Sequence, residues 1–117
     1  MKNIFFIFLA VLSISACNDG ESAPATLIPR EKMAEVLAEV QILEAAYNLQ
    51  YARSDSSRNI MESGFNQVFS RTGVTREDYE TSLNWYTLHT NEMIAIQEDV
   101  SDLLLAREAD LNSTKKD

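Results

Sequence analysis

Between Met33 and Tyr51 the large apolar residues fall three or four positions apart: Met33, Val36, Leu37, Val40, Leu43, Tyr47 and Tyr51. At about 100° per residue they share one face, so the segment reads as one long amphipathic helix. Pro29 suits its first turn and Glu31 suits the positive helix end, which sets its start at Pro29 and its end near Arg53. A helix with one greasy face must bury that face against something, and the rest of the chain offers more helices of the same kind. Residues 57–72 gather Met61, Phe65, Val68 and Phe69 on one side, and Gly73 is placed to end them in a left-handed cap. Thr75 then starts a third helix, with Asp78 three residues on. Tyr79, Ser82, Leu83 and Tyr86 share its face, and Trp85 lies to one side. The stretch "LHTN" interrupts it. Thr90 is the expected cap of a fourth helix lined by Met93, Ile96, Val100, Leu103, Leu104 and Leu111. Three glycines and two prolines in 117 residues leave little turn chemistry for a β fold. The expectation is an all-α protein, a small bundle of about four helices over 27–111 with a disordered tail at 112–117.

Residues 1–17, "MKNIFFIFLAVLSISAC", are different in kind. Lys2 supplies a positive start, Ile4 to Leu12 an apolar run, and Ser15 and Ala16 two small residues before the only cysteine. The apolar run is short of the roughly 20 residues that span a bilayer, so 1–16 reads as a secretory signal peptide. Ile14-Ser15-Ala16-Cys17 resembles the bacterial lipobox, with Ile14 where Leu is usual. The resemblance implies thioether lipidation of Cys17, cleavage before it and acylation of the new amino group. One acyl chain holds a membrane only marginally, whereas two or three make the anchor effectively permanent. The polar stretch "NDGESAPAT" completes a flexible tether over 17–26, its nine residues reaching roughly 30 Å. The membrane is thus the expected partner through Cys17, with the domain held beside it in the cell envelope.

Charge removes other classes. The chain carries 18 acidic and 10 basic residues, a net of −8, and loss of Lys2 with the leader makes it −9. Such a surface repels phosphate backbones, so no nucleic-acid partner is expected. One cysteine forms no internal disulfide, and one distant histidine offers it little activation as a catalytic thiol. Glu31, Glu35 and Glu39 recur every four residues, and the default for such a run is a solvated face; without histidine they make a poor transition-metal site. There is no phosphate loop, no nucleophile elbow and no zinc motif. No catalytic residue, metal or cofactor is assigned.

Two features of the first helix stand out. Glu44 falls about 20° from Met33 by the helix period, near the middle of the apolar face. A carboxylate buried there needs a partner, and Arg107, Tyr86 and Ser82 are the candidates for a buried polar contact. About 140° away, Ala38, Ile42, Ala45 and Leu49 form a second, smaller apolar stripe. Another helix covers it, which would make the first helix central, or a partner protein does.

Three stretches, "LIPREKMAEVLAEVQILEAAY", "FNQVFSRTGVTREDYETSLNWY" and the final helix with Met93, Val100 and Leu103, together with the lipobox, resemble a family of small Bacteroidota lipoproteins catalogued as a domain of unknown function. The resemblance covers roughly 27–104. Where that family often has an Asp-x-His pair, this chain has Glu39 and Gln41, and Asn91 stands where proline is common. The missing histidine weighs against a metal role for that helix. Asp19 and Glu21 loosely resemble the acidic surface-export signal of such lipoproteins, which leaves the leaflet and side open. The resemblance implies an envelope address and no reaction. The sequence thus points to a lipid-anchored interaction or structural module, with a chaperone-like or peptide-binding factor for exported chains as the alternative.

Overall fold

The computed structural model describes residues 22–50 and 57–116, which form four helices and no strand. They are α1 (Arg30–Gln50), α2 (Ser57–Thr72), α3 (Arg76–Leu88) and α4 (Thr90–Thr114). The expected all-α bundle is what the chain forms. Helix α1 is central: α2 and α4 both pack on it, and α3 packs on α4. Met33, Val36, Leu37 and Val40 of α1 meet Val68 and Phe69 of α2, Tyr79 and Tyr86 of α3, and Ile96 and Val100 of α4 in one core. Burying each such side chain fully contributes about 1.5–3 kcal/mol, and this shared face is what holds the helices together.

Local chemistry sets the joints. Helix α2 ends where Gly73 takes φ +73°, a left-handed conformation that favours glycine. The N–H groups of Gly73 and Val74 both donate to the Phe69 carbonyl, at 2.9 and 3.2 Å. Two residues later the Thr75 hydroxyl accepts from the Asp78 N–H at 3.1 Å and caps α3. Arg76 then ties α3 to α2: its guanidinium lies over the rings of Phe65 and Phe69 and pairs with Glu62 at 2.8 Å. At Gly64 a Cβ would come within 2.4 Å of Leu43 Cδ1, so α1 and α2 approach closely there.

Three sequence expectations are corrected. Thr90 does not cap α4; His89 occupies the capping position without a side-chain capping bond, its ring Nδ1 lying 2.7 Å from the Trp85 carbonyl instead, and Thr90 is already helical. The tail expected to be disordered from residue 112 continues as helix to Thr114. Leu111, placed on the apolar face by period, is 70% exposed. The end of the supposed flexible tether is also shaped, by a turn in which Leu27 N–H donates to the Pro24 carbonyl at 3.1 Å. Cys17, Tyr51 and Arg53 lie outside the described residues.

Candidate functional site: a strapped lead-in and a groove beside it

The chain reaches α1 through Leu27-Ile28-Pro29. A residue before proline is pushed toward an extended backbone, and an extended buried residue needs partners for both its N–H and its C=O. Ile28 finds both on α3. Its N–H donates to Ser82 Oγ at 2.9 Å, and its carbonyl accepts from the Tyr86 hydroxyl at 2.7 Å. Ser82 and Tyr86 are one turn apart, which puts both groups on one face of α3. Ser82 is fully buried, and the Ile28 side chain is buried in the core. Burial, then the nearby charges of Glu92 and Glu31, push the Tyr86 phenol above its usual range, so it keeps the proton it donates. The lead-in is thus a strap fastened across α3.

Beyond the strap, α1 and α4 bound an open groove of about 580 Å³. Its apolar lining comes from Ala34, Leu103 and Ala106; its acidic lining comes from Glu31, Glu35, Asp99 and Asp102. Arg30 clasps Asp99 by donating from Nε and Nη2 to its two carboxylate oxygens, at 2.8 and 3.0 Å, and that contact holds the Asp99 carboxyl below its ordinary range. Glu35 pairs with Lys32 at 3.0 Å. Glu31 and Asp102 have no ion pair among the described residues.

The polar centre of the bundle lies elsewhere than the helix period places it. Glu44 is exposed, so it makes no buried contact. Arg107 pairs instead with Glu39, which also binds Arg71 at 2.9 Å. Glu39 is the least exposed partner of the two pairs and links α1 to both α2 and α4. Gln41 bonds Gln97 of α4 at 3.3 Å. The two positions that depart from the Asp-x-His pattern therefore join helices. Tyr86 serves the strap and Ser82 with it. Of the second stripe on α1, Ala38 is buried, whereas Ile42, Ala45 and Leu49 are exposed, Leu49 by 87%. The covering helix reaches only the first of them.

Trp85 is half-buried, stacked on the His89 ring at 3.7 Å and edge-on to Tyr86 at 5.2 Å. Its ring N–H has no hydrogen-bond partner among the described residues. Among the described residues no group of three His, Cys, Asp or Glu side chains is placed to hold a metal ion, and no helix is long and apolar enough to cross a membrane.

A small all-α bundle with a strapped lead-in is the class these features define. The chain belongs to the family described as "Domain of unknown function (DUF4296)", whose pattern matches residues 24–110. The match begins at the turn before the strap and ends within α4. No curated protein and no solved structure matches the chain.

Proposed function

We propose that this chain is a lipid-anchored cell-envelope protein whose helical domain works by holding another protein rather than by catalysis. The observation that carries the interaction reading is the uncovered part of the second α1 stripe. Ile42 and Leu49 stand two turns apart with Ala45 between them, on the most central helix of the bundle. Single exposed apolar residues are ordinary, but an aligned set on a rigid helix fits a protein contact. The anchor rests on the leader, the small residues and Cys17, as in the Bacteroidota lipoproteins the sequence resembles. The outer membrane is the proposed site of attachment.

A photo-crosslinking residue at Ile42 or Leu49, activated in intact cells, should yield one discrete adduct, and the same probe at Glu77 on α3 should not. Equal, diffuse labelling from all three positions would sink the interaction reading. Separately, Cys17→Ser should move the protein from the membrane fraction to the soluble one. A second reading, a peptide-binding factor for exported chains, draws on the groove between α1 and α4; it requires suppression of aggregation of unrelated unfolded proteins.

A further inference from the structure

We infer that the α1–α4 groove takes a basic segment of a polypeptide, with lysine or arginine side chains laid along its apolar floor. The inference goes beyond the stripe contact proposed above and gives the groove of the second reading a ligand class.

The floor comes first. Ala34 and Ala106 are small, and Leu103 is half-buried, so the groove has room over an apolar base. An aliphatic side chain fits such a base, and a long charged side chain fits it better when its head reaches the rim. The rim is acidic. Four carboxylates and one guanidinium line the groove, and the guanidinium is spent on Asp99. Glu31 and Asp102, both exposed, remain for a visiting cation. A bare metal ion gains nothing from the apolar floor, and these carboxylates are not gathered closely enough to hold one. A nucleic acid would meet the wrong sign of charge. A second copy would bring mostly acid to acid, since the chain is −8 overall. A basic segment satisfies both the floor and the rim at once. The groove also opens beside Arg30, directly after the strap, so its near wall is held by the Ile28 bonds to α3.

The test uses the full chain in nanodiscs of phosphatidylcholine, with empty discs as the blank. The probe is a fluorescein-labelled twelve-residue peptide of alternating lysine and alanine, read by anisotropy; the comparison peptide has glutamate for lysine. Only the lysine peptide should bind. Glu31→Gln with Asp102→Asn should weaken it about tenfold, the combined loss of two exposed charge pairs. Glu77→Gln with Glu80→Gln on α3 changes net charge equally and should weaken it no more than about twofold. Ala106→Phe fills the floor at an exposed helical position and should abolish binding while circular dichroism stays unchanged. Equal weakening by both charge pairs would show diffuse attraction and overturn the inference. Binding of the glutamate peptide, or no binding of either peptide, would overturn it too, as would self-association of the chain through its own Lys115 and Lys116. Crosslinks from Ile42 that persist while peptide binding fails would leave the interaction reading standing and remove only the groove.

Discussion

If the strap is what joins the lead-in to the bundle, Ser82→Ala should cost more than its size suggests. The substitution removes one oxygen from a fully buried position and leaves the Ile28 N–H without an acceptor. A buried donor left unpaired costs about 1–3 kcal/mol. Alanine returns roughly 0.5 kcal/mol through its better helix propensity in the middle of α3. The net loss is about 0.5–2.5 kcal/mol, which in a domain of this size lowers Tm by roughly 2–20 °C. Tyr86→Phe keeps the ring and removes the donor to the Ile28 carbonyl, a milder loss of about 0.5–1.5 kcal/mol.

The two substitutions act on the same residue, so they should not add. Once Ile28 has lost one bond, the segment is freer to leave α3, and the second loss counts for less. The assay is urea unfolding of wild type, both single variants and the double, followed by far-ultraviolet circular dichroism. Hydrogen exchange at the Ile28 amide supplies an independent reading, with protection falling in Ser82→Ala. Exposed Thr81→Ala on the same helix is the control and should leave exchange at Ile28 unchanged. Full additivity, or an Ile28 amide that exchanges freely in the wild type, would refute the strap.

Gly73→Ala meets no atom within 4 Å, so its cost is the left-handed backbone alone, about 1–2 kcal/mol, and Gly73→Asn should cost less in the same unfolding measurement. Glu39→Gln leaves Arg71 and Arg107 without their shared carboxylate; both arginines are partly exposed, so the loss should be only about 0.5–1.5 kcal/mol and should shrink in 1 M salt. Glu44→Leu should change stability by less than about 0.5 kcal/mol, because Glu44 is exposed. Burial, then the charges of Glu44 and Glu80, raise the Tyr79 phenol above 10.0, and burial raises Tyr86 likewise. The folded chain then keeps protons that the unfolded chain gives up, so stability is full below pH 10 and falls as pH rises further. Urea midpoints from pH 8 to pH 11 should show that fall, and Tyr79→Phe should reduce it.

Why Glu44 was misplaced by its sequence and Tyr79 was not follows from what a helix period contains. The period gives an angle around the axis and says nothing of how far along it the neighbours reach. In α1 the fully buried positions stop at Val40; Leu43 and Tyr47 are half-covered and Leu49 stands in solvent. Glu44 has the angle of a core residue at a height where the core has thinned. Leu111 in α4 is the same case at the other end of the chain. Tyr79, Val68 and Ile96 lie at heights where neighbouring helices cover them, so angle alone placed them. Caps that depend on two or three neighbouring residues, Gly73 and Thr75, were equally legible. The strap joins positions 54 and 58 residues apart, and no local pattern carries that pairing. Its trace in the sequence is a serine and a tyrosine one turn apart on an otherwise apolar face, two polar groups that burial obliges to find partners. Glu39 left a fainter trace. It sits among like charges at four-residue spacing, and only the approach of Arg71 and Arg107 from two other helices makes it a joint instead of a solvated acid.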